Sequence, residues 1–443
     1  AFVSTAADPD GDSVAIRFDW GDGDTSNWSS WAASGDTISM KHSWSDSGTY
    51  LIRAQARDTK DGTSDWSIGH QMAISGGGNG GWIRTFGGDS WDVGYSVQQT
   101  TDGGYIIAGI TQSYGAGETD AYLIKTDSRG NQSWYRTFGG ISWDPSYSVQ
   151  QTTDGGYVLT GSTGSYGVNG DVRLIKTDAG GDTLWTRTFG DLSIDFGYSG
   201  QQTEDGGYIV AGTQYWDVGS TDVYLVKTDA NGNLTWSQTY GGSSEDWGRS
   251  VRQTTDGGYV IAGDTKSYGA GEEDAYLVKT AADGGLTWSQ TFGGPNRDYA
   301  ASVRQTADGG YIIAGVTFSY GVGSGDVYLI KTDASGNQTW FKTFGGSAAD
   351  HGYSVQQTAD GGYIIVGWTH SYGAGDADVY LIKTDASGNE TWFKTFGGSA
   401  ADRGYSVQQT ADGGYIVAGE TFSYGEGLGD VYLIKTDANG NVE

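Results

Sequence analysis

From Trp82 to the end, the apolar residues fall in runs of five to seven, cut by Gly, Asp and Asn. This is the patterning of short strands joined by tight turns. One unit contains four such runs, predicted as strands A (Tyr95 to Thr100), B (Tyr105 to Thr111), C (Ala121 to Thr126) and D (Trp134 to Phe138). Asp102-Gly103-Gly104 separates A from B, and Asp127-Ser128-Arg129-Gly130-Asn131 separates C from D. Asp-Gly and Gly-Asn pairs are hairpin signals, so consecutive strands are expected to pair antiparallel. The unit then repeats. The tyrosine after each DGG falls at Tyr105, Tyr157, Tyr208, Tyr259, Tyr311, Tyr363 and Tyr415, in steps of 52, 51, 51, 52, 52 and 52 residues. Four antiparallel strands repeated every ~50 residues describe propeller blades.

The ends of the repeat region predict how the ring closes. The last copy stops at Gly440-Asn441-Val442-Glu443, where its strand D should begin. The missing piece, Trp82 to Gly88 (WIRTFGG), stands ahead of the first copy. Residues 82–88 are therefore expected to complete the seventh blade, removing an exposed sheet edge. The domain reading is a β-sandwich over 1–75, a Gly-rich linker over 76–81 and a seven-bladed β-propeller over 82–443, an all-β chain throughout.

In the N-terminal segment, Val14 to Trp20, Thr37 to Trp44 and Thr49 to Asp58 read as strands between turn signals. The motifs DPDGD at 8–12, FDWGDG at 18–23, HSW at 42–44 and SGTYLIRAQARD at 47–58 resemble a PKD domain, an immunoglobulin-like module of extracellular proteins. Such modules have a further strand before DPDGD. Here only seven residues precede it, so the sandwich is expected to lack its first strand and to leave an edge that another chain or segment fills. The repeats resemble bacterial and archaeal surface propellers carrying LIKTDxxGNxxW and TFGGxxxDxGxSVxQTxDGGYIxAG. That resemblance implies a secreted or cell-surface setting and no particular activity.

Composition narrows the partners. A net charge of −29 argues against nucleic acid, which needs a basic face. No cysteine means no disulfide and no thiolate chemistry. No apolar run approaches the ~20 residues of a membrane span. The chain opens at Ala1 without a charged or apolar leader, which fits a mature or trimmed product.

Candidate chemistry lies on the face carrying the D–A and B–C loops, where the copies vary. An aspartate recurs there at Asp92, Asp144, Asp195, Asp246, Asp298, Asp350 and Asp402, either as a cation ring or as a loop cap taking backbone N–H groups. The next residue changes from copy to copy, to Val93, Pro145, Phe196, Trp247, Tyr299, His351 and Arg403. With Trp91, Trp143 and Trp216, the last five are the ligand-binding candidates, since exposed aromatics stack on sugar rings or anchor protein partners. Packing between blades is the alternative.

Calcium is the one candidate cofactor. Its candidate ligands are Asp8, Asp10 and Asp12, with Glu118, Asp120, Glu272 and Asp274 in the B–C loops. Sequons at Asn27, Asn131, Asn233, Asn337 and Asn389 are candidate glycosylation sites. No HExxH, GxSxG or P-loop occurs, and a non-catalytic protein is expected. The functional expectation is an extracellular or cell-surface structural or adhesion protein, built into a surface layer or filament. Its partners would be copies of itself or other surface proteins. Glycan binding by the variable face is the second reading and a polysaccharide-active enzyme the third. The hairpin of strands A and B, Gly94 to Gly109 in the first copy, is nearly the same in every copy and is expected to be a poor place for specific chemistry.

Overall fold

The computed structural model describes residues 2–40, 42, 48–60, 62–74, 81–167, 170–215 and 220–442. Trp216 and most of the Gly-rich linker lie outside the described residues. The chain divides into two compact units, 1–79 and 80–443.

The first unit holds two small sheets. β1 (Phe2–Thr5) pairs antiparallel with β3 (Thr37–Met40). β2 (Val14–Asp19) pairs with β4 (Gly48–Asp58), which pairs with β5 (His70–Ile74). Ile16, Phe18, Trp20, Ile38 and Ile52 form their shared core. The expectation of a missing first strand is corrected here. The residues ahead of DPDGD do form a strand, because the Thr37–Met40 segment gives their backbone groups a ladder.

Among the described residues the second unit is seven sheets, each with four antiparallel strands in the order A-B-C-D, and the first also takes up Trp143–Asp144 in parallel beside its strand C. In the first blade these strands are Asp92–Gln99, Tyr105–Thr111, Thr119–Thr126 and Gln132–Phe138. In the seventh, β6 (Trp82–Phe86) takes the place of strand D. It pairs antiparallel with Asp430–Thr436, Phe86 opposite Val431 and Trp82 opposite Lys435.

Strands B and C of the first blade are buried along their whole length, because both faces of the sheet pack on a neighbouring blade. One core cluster, for example, joins Ala262 and Leu277 of the fourth blade to Val303, Ile313 and Tyr328 of the fifth. The tryptophan of each strand D meets the DGGY tyrosine of the next blade. Ring centroids are 6.0 Å apart for Trp134–Tyr157, 5.8 Å for Trp288–Tyr311 and 5.9 Å for Trp392–Tyr415. Trp82 makes the seventh such contact, 5.7 Å from Tyr105, so β6 reproduces the blade junction.

Each blade also carries one buried lysine from strand C on the DGG aspartate, as in Lys176–Asp154 (2.9 Å) and Lys227–Asp205 (2.8 Å). Burial alone would raise these aspartates. Hydrogen bonds from the lysine, a threonine and a turn N–H override it and hold Asp154 and Asp205 at about 2.

The recurring D–A aspartates are fully buried. Each accepts the N–H of the residue four before it, as from Gly294 to Asp298 (2.8 Å) and Gly398 to Asp402 (2.8 Å). Six of the seven also receive a serine hydroxyl from the B–C loop, for example Ser319 to Asp298 (2.7 Å). They cap loops and do not ring an open mouth. Each faces a second aspartate, the one opening strand C of the previous blade. The first glycine of FGG lies between them: a Cβ at Gly293 would overlap the Asp274 carboxylate and come within 2.7 Å of Asp298.

Burial, with the neighbouring carboxylates adding to it, raises Asp195 to about 7 and Asp430 to about 6. Carboxylates raised on folding add stability that is complete below the unfolded value, ~4, and is lost as pH climbs through 6 and 7. The lysine-paired aspartates act in the opposite sense, losing their contribution as pH falls from ~4 toward 2. The melting temperature is therefore expected to peak near pH ~4–5 and to fall by pH 8. Scanning calorimetry across that range checks this; a maximum at pH 8 would contradict it.

Candidate ligand-binding channel

Strand A of each blade lines the central channel and carries a one-residue bulge. In the first blade the register jumps between Gly94 and Ser96, leaving Tyr95 as the extra residue. The same jump isolates Tyr198, Arg249, Ala301, Tyr353 and Tyr405, and Tyr147 in the second blade. A bulge re-aims the side chain it carries. Here it turns seven equivalent residues to the channel, five of them tyrosines in consecutive blades. Centroid distances run 5.3 Å (Tyr353–Tyr405), 5.1 Å (Tyr405–Tyr95), 5.3 Å (Tyr95–Tyr147) and 5.4 Å (Tyr147–Tyr198).

The ring breaks at Arg249 and Ala301. Together with Tyr299, Val316 and His351 the ring lines a cavity of about 420 Å³ at the variable-loop end of the channel. That is the size of a small-molecule site. Burial raises Tyr95, Tyr147 and Tyr405 and pushes Tyr198 up to about 12. These groups are neutral hydroxyls at physiological pH, able to donate and accept hydrogen bonds.

Around this mouth, in six of the seven blades, the residue after the D–A aspartate pairs across the ladder with the variable sixth residue of strand B. Trp247 stands opposite Asp264, Tyr299 opposite Val316, His351 opposite Trp368 and Arg403 opposite Glu420. His351 stacks on Trp368 at 4.1 Å, and burial lowers it to about 4, so it is a neutral ring. Arg403 and the Tyr405 hydroxyl each donate to Glu420 at 2.7 Å, and Trp91 Nε1 donates to it at 3.1 Å. Arg249 donates to the fully buried Asp264 through Nε (2.6 Å) and lies 2.5 Å from it through Nη2.

The ligand candidates therefore divide. Tyr299 and His351 line the cavity. Phe196 packs against Tyr198, Trp143 and Tyr215. Trp247 lies under Lys266, whose Nζ is 5.0 Å from its centroid. Arg403 and Trp91 are committed to Glu420.

Of the calcium candidates, Asp8 accepts the N–H groups of Asp10 (2.9 Å) and Asp12 (3.1 Å), and Lys60 sits 2.8 Å from Asp12. A local turn with a lysine on it explains that cluster. Glu118 and Glu272 are exposed, whereas Asp120 and Asp274 are buried and bind the N–H groups of Ala116 (2.6 Å) and Ala270 (2.7 Å). Among the described residues no three His, Asp or Glu side chains gather as a metal site. All five sequon asparagines are exposed. Those at 131, 233, 337 and 389 donate their amides to the turn aspartate four residues earlier, at 2.9–3.0 Å.

Strand A, expected to be a poor place for specific chemistry, lines the mouth through its fourth residue. The signal in the sequence was the pair of departures GRSVRQ (248–253) and AASVRQ (300–305) from GYSVQQ.

Fold and channel define the class, a seven-bladed β-propeller with an aromatic-lined mouth. No family model matches the chain. It is similar to the regulatory protein FlaEY of Caulobacter vibrioides, 26% identical over 253 residues, which cover 49% of this chain and 26% of that protein. The chain thus spans about a quarter of that relative's length. Among solved structures, the WD40 domain of Neurospora crassa Pan2 is 11% identical with a TM-score of 0.49, over 80% of this chain and 92% of that one. Sqt1 from Chaetomium thermophilum is 10% identical with a TM-score of 0.45, over 76% and 83%.

Proposed function

We propose that this chain is a non-catalytic, secreted or cell-surface adhesion protein that binds a carbohydrate in the channel mouth. The observation that carries this reading is the cavity of about 420 Å³ walled by tyrosines, Tyr299 and His351. Neutral phenol hydroxyls beside flat aromatic faces suit a ligand with hydroxyls on its rim and an apolar ring face, which is the surface of a pyranose. The side chains that differ most among the copies in strands A and B stand around this mouth, whereas the blade junctions are uniform. Binding specificity on a rigid ring belongs at such positions. The extracellular setting rests on the resemblance of both units to surface modules.

A glycan array probed with the whole chain tests this. Saturable binding is expected, weakened about tenfold by Tyr299→Ala and by His351→Ala, a loss of about 1.4 kcal/mol per side chain. An array with no binding, or binding by both variants as strong as that of the unsubstituted chain, refutes the reading.

A self-assembling surface subunit is the second reading. In its favour, β1 and β3 have only each other as strand partners among the described residues, so each offers an edge for pairing. Particle imaging that finds ordered polymers would favour it.

A further inference from the structure

Three residues further along strand A, the channel has a second level with different chemistry. In five blades this position is glutamine. Its side-chain oxygen accepts the backbone N–H of the second glutamine in the next blade: Gln98 from Gln151 (2.6 Å), Gln150 from Gln202 (2.7 Å), Gln201 from Gln253 (3.0 Å), Gln356 from Gln409 (2.7 Å) and Gln408 from Gln99 (2.6 Å). One level up, a serine hydroxyl belt also links blade to blade, and its links continue through the fourth and fifth blades. There Ser250 accepts from Val303 (3.3 Å) and Ser302 from Val355 (3.3 Å). The glutamine belt does not continue. Arg252 and Arg304 stand in those two adjacent blades, and the N–H groups of Gln305 and Gln357 have no glutamine oxygen to meet.

Both arginines line the channel cavity of about 490 Å³. Arg252 donates Nη1 to its neighbour's carbonyl, Val251 O (2.8 Å). The Nε groups of both are buried without a protein acceptor, and no carboxylate of the described residues forms an ion pair with either. The third arginine of the channel, Arg249, is by contrast fully engaged by Asp264. In a chain of net charge −29, two neighbouring cations without an acid are an unusual placement. Both side chains are half-buried, and a partly desolvated charge with no acid beside it carries a cost that an anion in the channel would offset. Burial lowers both guanidiniums, Arg304 to about 10, and the charge of Arg304 lowers Arg252 further.

We propose that the inner level of the channel is a binding site for a small oxyanion, held by Arg252 and Arg304. The guanidinium forks match carboxylate, phosphate or sulfate oxygens bidentately, and the N–H groups of Gln305 and Gln357 lie where the other blades place an acceptor oxygen. The site does not depend on the carbohydrate reading of the mouth. The anion is either a free inorganic ion or the acid group of an organic ligand.

The test uses the intact chain and the double variant Arg252→Gln/Arg304→Gln, which gives these two blades the residue found in the other five and so is expected to fold. Phosphate, sulfate and glucuronate are titrated against chloride at matched ionic strength, following melting temperature and heat of binding. Wild type should gain a few degrees at saturation, and the double variant should gain nothing while melting at or above the unliganded wild type. A response to phosphate or sulfate identifies a free inorganic ion; a response to glucuronate alone identifies an organic acid. No anion-specific shift in wild type, or the same shift in the variant, overturns the proposal.

Discussion

Removal of Trp82–Phe86 is expected to lower the melting temperature of the propeller by ~10 °C or more. The strand contributes five register pairs to Asp430–Thr436, and it seats Phe86 and Trp82 in the core shared by the seventh and first blades. Truncating one large buried aromatic costs about 3–5 kcal/mol. Losing both with their ladder exceeds about 5 kcal/mol, which at ~2 °C per kcal/mol gives the stated shift. The deletion also bares the backbone groups of Asp430–Thr436, so concentration-dependent association should accompany it. Thermal scans with light scattering measure both. An unchanged melting temperature would show that β6 does not close the ring.

Replacement of Arg249 by tyrosine is expected to destabilise the protein by about 3–5 kcal/mol at pH 8, because it strands a buried carboxylate. Asp264 has no solvent contact, and its other partner is the N–H of Ala300 at 3.2 Å. Burial raises its titration point, with Arg249 opposing that rise. Without the guanidinium the carboxyl will protonate more readily, so the deficit should shrink toward pH 5 and widen as pH rises. Adding Asp264→Ile gives this blade the Tyr95/Ile110 pair of the first, and most of the lost stability should return. Urea denaturation of the two variants at both pH values decides this. A single variant within ~0.5 kcal/mol of wild type would mean that Asp264 is solvated or otherwise paired.

The architecture was legible because it is written seven times. The DGG and GN turns locate the hairpins, and the predicted strand B agrees with the observed Tyr105–Thr111 to the residue. Strand A begins earlier than its apolar run, at Asp92, because Asp92 and Val93 continue the ladder to Thr111 and Ile110. The same strand hid the candidate site. Simple alternation assigns Tyr95 and Val97 to one face, and only the bulge at Tyr95 separates them, leaving Val97 in the core and Tyr95 in the channel. A bulge depends on which residues oppose each other across the ladder, and that is not visible in one strand's pattern. The recurring aspartates were legible as caps or cation ligands, and their burial with the FGG amides decides for caps. Arg252 and Arg304 were visible as letters but carried no meaning until the glutamine belt they interrupt was seen.

A crystal structure of the whole chain with an oligosaccharide selected on the array shows where the sugar binds. One sugar ring is expected in the mouth, in contact with Tyr299, His351 and the tyrosines that flank the break at Arg249 and Ala301. A sugar bound instead on the outer strands of the blades, or on the N-terminal unit, would contradict it.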